Sequence, residues 1–480
     1  MKKLFRNCIL AVAAAAVIAA AAFVLLPKAL NGKQISPAAL ELLKLLRSEN
    51  DFLDADAVYV NGIPAVESRS ESWWLCSLPS LPEEGEKLSP EIRADISEPH
   101  RYYSIVKSEI TADSIERNEP VLIAVYSLRG YKLFRLHFTS LPILSMDYEG
   151  EIVRDVDTDI ELNGLPGTAH TRGTSSRIFD KRSYKITLDD KASFLNLRED
   201  DDWVILSLYN DPERLRPVFG GNLWYSSCAG NNSFGISNGY EFRYIELFRN
   251  GEYAGLYALG YKPDQKQFDI GKNEFLYSKT EWEPDGIELQ GGKTKDKAEQ
   301  AWKALSEDYG IDWKSAEDLW LFINFCAGAD NNGKNYYFAL KEDRSGKRNM
   351  VYCPWDLDLT WGNEYNWEAP NYADIYTVSP DTPFDMKEGP VSEAISAGNR
   401  KVIKDLKERY AELRRGKWSD ESLSEMIGEY EKKVFSSGAY ARDLSMWPNS
   451  TQQDPALRLS RFREYVLERA AWMDEYIAQM

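Results

Sequence analysis

Histidine is almost missing from this chain: three occur in 480 residues, at His100, His137 and His170, far apart. A histidine-based metal cluster or a Ser-His-Asp triad therefore has little material to draw on. Cysteine is scarce too. Apart from Cys8 in an apolar N-terminal run, Cys76, Cys228, Cys326 and Cys353 form no CxxC pair. That speaks against a zinc site and leaves one or two disulfides or buried free thiols as the alternatives. A surplus of positive charge is missing as well. With 58 Lys and Arg against 76 Asp and Glu the net charge is −18, so nothing is on hand to neutralise the phosphates of a nucleic acid. The acidity is explained by solubility alone, and it could also suit a basic protein partner. Whatever chemistry the chain performs must run on carboxylates, amides and lysines.

What is present points to a folded protein of two or three domains, with 43% hydrophobic and 12% aromatic residues. Residues 1–28 begin with three basic side chains and continue from Cys8 to Leu26 as 19 consecutive apolar residues. This is the pattern of a signal anchor or a signal peptide. It is expected to place everything after Lys28 outside the cytoplasm, held at the cell membrane or, if the segment is cleaved, secreted. Residues 29–140 read as a polar stalk and a small β-rich domain, with apolar runs such as VLIAVYSL (121–128) between Pro-, Gly- and Glu-rich turns. Residues 141–480 alternate strands, loops and helices and finish helical. The fold class is α+β.

Several elements of that last region can be placed. RSYKITL (182–188) and DDWVILSLY (201–209) are strand candidates. Residues 210–227 look helical after an Asn-Asp cap, although Pro217 and Gly220-Gly221 weaken the pattern. Asn250-Gly251 between two apolar runs is a strong hairpin signal. A helix is expected over 316–329, then two strands around the turn at Arg344-Ser345-Gly346. Near the C-terminus Ile403, Leu406, Tyr410 and Leu413 keep helical spacing, as do Leu459, Phe462, Val466, Met473 and Ile477.

The second of those two strands runs into CPWDLDLTWG (353–362). If the strand continued, Trp355, Leu357 and Leu359 would share one face, and Asp356 and Asp358 the other. A solvated sheet edge and a metal site both fit. Upstream, Asp330 is followed after four residues by Asn335. This is the D-x-x-x-x-N spacing of a protein-kinase catalytic loop, in which the Asp meets the attacking hydroxyl and the Asn holds magnesium. Asp356 arrives 26 residues later, across a hairpin, where a metal-holding acid is needed. The order of helix, Asp loop, strand, turn and acids raises the metal reading above the solvated edge.

In its wider pattern the chain resembles the CotH kinase family, secreted or spore-coat proteins with an atypical protein-kinase-like fold. The resemblance rests on RGTSSRIFDKRSYKITL (172–188), DDWVILSLYNDPERLR (201–216), YIELFRNGEYAGLYAL (244–259), and ADNNGKNYYF (329–338) with YCPWDLDLTWG (352–362). It covers roughly residues 141–480. It implies that the RGTSS loop lies over nucleotide phosphates in place of a G-x-G-x-x-G loop, with Ser175 and Ser176 as donors and Arg172 as a buttress. It implies a lysine reaching the phosphates, either Lys181 or Lys185, with Glu213 as an ion-pair partner. Asp330 would be the catalytic aspartate, Asn335 and Asp356 magnesium ligands, and Asp358 a companion carboxylate. Where many members carry an acidic residue after GLYAL, this chain has Gly260 and Tyr261.

The leading expectation is an outward-facing, membrane-anchored kinase-like phosphotransferase. It would use ATP with Mg²⁺, or Mn²⁺, on Ser or Thr of an extracytoplasmic or coat protein. The alternatives are a non-catalytic surface binding or assembly protein on the same fold, and a carbohydrate-active enzyme suggested by 14 tryptophans and many acids. Two acids on one strand face suit the last poorly, because glycoside hydrolysis needs carboxyls facing each other across a sugar.

Overall fold

A computed structural model of the chain describes residues 28–173, 179–291, 294–364, 376–384, 389–448 and 456–480. The expected signal anchor therefore lies outside the described residues, save Lys28. No helix among the described residues is long and apolar enough to cross a membrane. The fold is α+β, as expected, and divides into two compact units.

The first unit comprises residues 28–147 with the inserted segments 246–255 and 433–445. Its main sheet places Gly130–Thr139 between Val121–Tyr126, antiparallel, and Trp73–Ser77, parallel. The run VLIAVY is apolar throughout because both faces are covered. Val121, Ile123 and Val125 enter one core with Trp74 and Leu136, while Ala124 and Tyr126 enter another with Leu40 and Leu43 of the helix Pro37–Leu46. The inserted segments are tied in by a buried ion pair between Arg442 and Glu246, with Arg442 also donating to the Phe138 carbonyl at 3.1 Å. Unit boundaries of this kind cannot be read from a linear sequence, since three stretches far apart in the chain share one core.

The second unit comprises residues 148–245, 256–432 and 446–480. Its first sheet is antiparallel. It is built from β1 (Thr158–Leu162), β2 (Leu165–Arg172), β3 (Ser183–Ala192) and β4 (Asp200–Leu206), which run in order. After helix α1 (Arg216–Ser227) come β5 (Phe242–Arg249) and β6 (Glu252–Gly260), whose adjoining parts over 246–255 belong to the first unit, and the end of β6 at 258–260 pairs with β4. Asn250 (φ 51°) and Gly251 (φ 76°) make the β5–β6 turn that the Asn-Gly pair predicts. In β3, Tyr184, Ile186 and Leu188 are buried and Ser183, Lys185 and Thr187 are more open, as period-two patterning requires.

A second sheet holds β7 (Phe275–Lys279) and β8 (Ile287–Gln290). It continues, after helices α2 (Lys295–Ser306) and α3 (Trp313–Cys326), with β9 (Tyr336–Glu342) and β10 (Arg348–Pro354), in the order β8-β7-β9-β10. Helix α3 packs against β10 and is buried on almost every side, which explains its unbroken apolar run over 319–323, while the buried Asp318 is met by Arg409. Helices α4 (Arg400–Arg415), α5 (Asp420–Glu431) and α6 (Ser460–Gln479) close the unit, with α6 against α3, α4 and α5. Leu406, Tyr410 and Leu413 are buried as expected, with Val402 rather than Ile403 completing the stripe. Cys76, Cys228, Cys326 and Cys353 are all buried free thiols, so the disulfide alternative falls.

Candidate active site

Three loops of the second unit meet at a cleft of about 690 Å³. The first follows α3, which ends at Ala327 in a left-handed conformation (φ 48°). Asp330 then lies at the cleft with Lys334 Nζ 3.2 Å and Asn335 Nδ2 3.4 Å from its Oδ2. Asn335 is itself left-handed (φ 57°), a conformation its short amide side chain tolerates. The buried Asn331 donates to the Asn335 carbonyl at 3.0 Å and to the Trp355 carbonyl at 2.7 Å. Trp355 N–H returns a bond to the Asn335 carbonyl at 2.9 Å. The Asp330 loop is thus stitched to the loop that follows β10.

That second loop corrects the sequence expectation. Strand β10 ends at Pro354, so Asp356 and Asp358 do not lie in a strand. Asp356 is left-handed (φ 58°), and the next turn is closed by Thr360 Oγ1 donating to the Leu357 carbonyl at 2.6 Å. The alternation survives for another reason. Trp355, Leu357 and Leu359 are buried and pin the loop, and although all three also border the cleft, Asp356 and Asp358 between them are the more open.

The third loop carries NDPERLR. Asp211, wholly buried, accepts the backbone N–H of Leu215 at 2.6 Å and pairs with the Arg216 guanidinium at 2.6 Å. Arg216 in turn donates through Nε to the Thr360 carbonyl at 2.9 Å and through Nη2 to the Trp361 carbonyl at 3.3 Å. The start of α1 therefore holds the acid loop, and it sets the Asn210 amide as a donor to Asp358 Oδ2. The Cβ that Gly220 lacks would stand 2.8 Å from Leu357 Cδ1 and 3.2 Å from the Trp361 ring. The glycine that weakened the helix pattern is what lets α1 approach the acid loop.

Opposite the acids, Arg172 ends β2 with its guanidinium 5.3 Å from the Trp355 ring centre, and its buried Nη1 has no hydrogen-bond partner. The carboxyls are poorly compensated. Burial pushes Asp358 up to about 8, with Asp356 adding to the rise and the Asn210 bond opposing it. Asp356 opens onto the cleft yet is ringed by protein. The loss of solvation raises its pKa, Arg172 opposes the rise and Asp330 reinforces it. Crowded acids of this kind, with an amide oxygen at Asn335, form an all-oxygen donor set that fits Mg²⁺ or Mn²⁺.

Among the described residues, the three carboxyls whose oxygens lie within 4.8 Å of one another are Asp200, Asp201 and Asp202. Arg198 and Lys266 already pair with Asp200 and Asp201, and Asp202 accepts from the Thr187 hydroxyl at 3.0 Å. Asp330, Asp356 and Asp358 are spread more widely. That spacing suits a magnesium ion held by one or two carboxylates and completed by water and phosphate oxygens.

The structure brings Arg172, Asp330, Asn335, Asp356 and Asp358 to one cleft. Ser175 and Ser176 lie outside the described residues. Lys185 sits on the sheet face of Ser183, which lines the cleft. Lys181 is buried, donating to the Leu256 carbonyl with its ammonium 4.5 Å from the Tyr257 ring centre. Glu213 is wholly buried and bound by Arg216 and by the Tyr376 hydroxyl. Neither of these two lines the cleft. Sequence reasoning missed Asn210, read only as a helix cap, and Lys334. The latter's one signal was its place just before Asn335 in the Asp330 loop.

An Asp and an Asn on one loop, two further acids after a hairpin, and an arginine facing them make the cleft of a kinase-like protein. The chain belongs to the CotH kinase protein family, whose sequence model matches residues 169–327 and 292–473. That span includes every cleft residue named above. No curated protein matches the chain.

Proposed function

We propose that the protein is a Mg²⁺-dependent phosphotransferase that moves the γ-phosphoryl of ATP to a Ser or Thr hydroxyl of an extracytoplasmic protein. Its own N-terminal segment would hold it at the membrane. The observation that carries the reading is the shared cleft of Asp330, Asn335, Asp356 and Asp358, fixed by Asn331 and Arg216. Asp330 takes the proton of the attacking hydroxyl as the new P–O bond forms and the bond to the ADP oxygen breaks. Lys334, beside Asp330, sets a positive charge near the transferring group. Asp356, Asp358 and the Asn335 amide would hold the metal, which supplies charge neutralisation at the phosphates when bound. Arg172 and Lys185 meet the phosphates from the sheet, and the net charge of −18 favours a basic acceptor.

The test is to incubate the protein with γ-labelled or α-labelled ATP and Mg²⁺, beside Asp356→Ala. Label from γ alone, lost in the variant, supports the reading. Label from α means nucleotidyl transfer instead. No label, with no thermal stabilisation by Mg-ATP, leaves a binding protein.

A further inference from the structure

The helix Pro37–Leu46 of the first unit is apolar on two sides. At about 100° per residue, Leu40 and Leu43 face the sheet, while Ala38, Leu42 and Leu45 stand on the opposite side with Leu46 flanking them. Leu42, Leu45 and Leu46 are 49%, 83% and 42% exposed. The helix's two charged side chains, Glu41 and Lys44, bond each other at 2.9 Å and add no net charge. The apolar patch continues past the helix. Arg47 Nε donates to the Ser127 carbonyl at 2.8 Å, and Ser48 N–H to the Arg129 carbonyl at 3.2 Å. That sets the exposed Leu128 beside the helix end. A helix apolar all round belongs in a covered place, and no described residue covers this side.

The chain before the helix points to the cover. Residues 8–26 are the apolar run, and only Pro27, Lys28 and Ala29 separate it from Leu30. Leu30 packs against the cluster of Leu40, Leu43 and Tyr126, and its carbonyl accepts from Ser104 Oγ at 2.8 Å. Lys33–Ile35 then pairs with Tyr102–Val106 as a strand of the sheet. The polar stalk expected from residue 29 is thus taken up by the unit, with no slack. Four residues reach at most about 14 Å, so the run ends close to the helix and on the helix's side of the sheet. A bilayer that took in the run would meet the leucines at its surface. Nineteen residues span about 28 Å as a helix, against about 15 Å for Pro37–Leu46. Folding the run back onto the leucines would therefore leave much of it uncovered, whereas a bilayer accommodates both.

We propose that the outer face of this helix, Leu42, Leu45 and Leu46 with Leu128, lies in the headgroup–acyl boundary of a lipid bilayer and holds the first unit against the membrane surface. The contact rests on the reading of the N-terminal run as a membrane segment, and its test separates the two. The full-length protein is reconstituted in phosphatidylcholine nanodiscs with a bimane label on one thiol at a time. Cys8 is the native thiol to label, since the other four cysteines are buried. Leu45→Cys and Glu84→Cys are made in a Cys8→Ser chain. Glu84 is exposed between Leu81 and Leu88, which pack against the core on the sheet's other face. Quenching by lipid carrying a nitroxide high on its acyl chain is read at each position.

The expected result is quenching at Cys8, and quenching at Leu45→Cys about threefold or more above that at Glu84→Cys. Adding Leu42→Ser and Leu46→Ser should lower the quenching at position 45 about twofold or more. The unfolding midpoint in detergent should stay nearly unchanged, because neither leucine is buried. Quenching at Cys8 with none at position 45 overturns the contact and leaves the membrane segment standing. Quenching at position 45 with none at Cys8 supports the contact and removes the membrane-inserted run. A label at position 45 that is shielded from water but not quenched by lipid means that the run or a second copy covers the leucines, and it overturns the contact. Quenching that survives both serine substitutions overturns it too, since tethering alone would then account for it. Quenching at neither position removes both readings.

Discussion

Two groups of carboxylates in the second unit are linked through one arginine and are treated in opposite ways. Asp211 and Glu213 are wholly buried, yet both bind the Arg216 guanidinium, and Asp211 also accepts backbone N–H groups. Asp356 and Asp358 belong to the loop whose Thr360 and Trp361 carbonyls accept from the same guanidinium. For them the structure supplies the Asn210 amide to Asp358 and the more distant charges of Arg172 and Lys334 to Asp356, while lost solvation, then repulsion among Asp330, Asp356 and Asp358, raises both pKa values. Charge is matched where the chain must be held and left unmatched where something must be recruited. The first group is scaffold, and on the proposed reading the second would take a cation.

Breaking the matched side should have the largest effect. Arg216→Met leaves two buried carboxylates uncompensated and should cost about 3–5 kcal/mol in urea unfolding. Breaking the unmatched side should act on function alone. Asp356→Asn should leave the ligand-free protein no less stable, abolish the Mg²⁺-dependent rise in midpoint, and cut γ-label transfer by about 100-fold or more. Lys334→Met, which removes the cation nearest Asp330 but no acid, should lower transfer about tenfold and leave the Mg²⁺-dependent midpoint shift intact.

The smallest effect sharpens the comparison from outside the cleft. Glu317 on α3 is pushed up to about 7 by burial, with Asp405 adding to the rise. Its folded value lies above the ordinary carboxyl value of 4.5. It therefore favours the fold fully below that pH, and this contribution is lost as pH rises toward 7. Glu317→Gln should add about 1–2 kcal/mol at pH 8, with the difference gone by about pH 4. A pH-independent difference would sink the assignment.

Local signals made much of this legible. The Asn-Gly hairpin, the strands around Arg344-Ser345-Gly346, helix α3 and the order of Asp330, Asn335 and Asp356 all follow from neighbours in sequence. What was illegible depends on contacts between distant segments. CPWDLDLTWG has perfect strand periodicity, but Asn331 and the Asn335 carbonyl seize its backbone at Trp355 and turn it at Asp356. Lys181 and Lys185 look alike in KRSYK, and only the register of β3 shows which one shares the cleft's face.

Gly220 carries a consequence for how such proteins lose activity. The position sits in a helix, bears no reactive group, and would pass as a weak point that alanine improves. Yet a single methyl there would meet Leu357 and Trp361 and displace the turn between Asp356 and Asp358. A lineage could thus become a pseudokinase with every acid still written in its sequence. The presence of the acids alone is then no proof of a working enzyme.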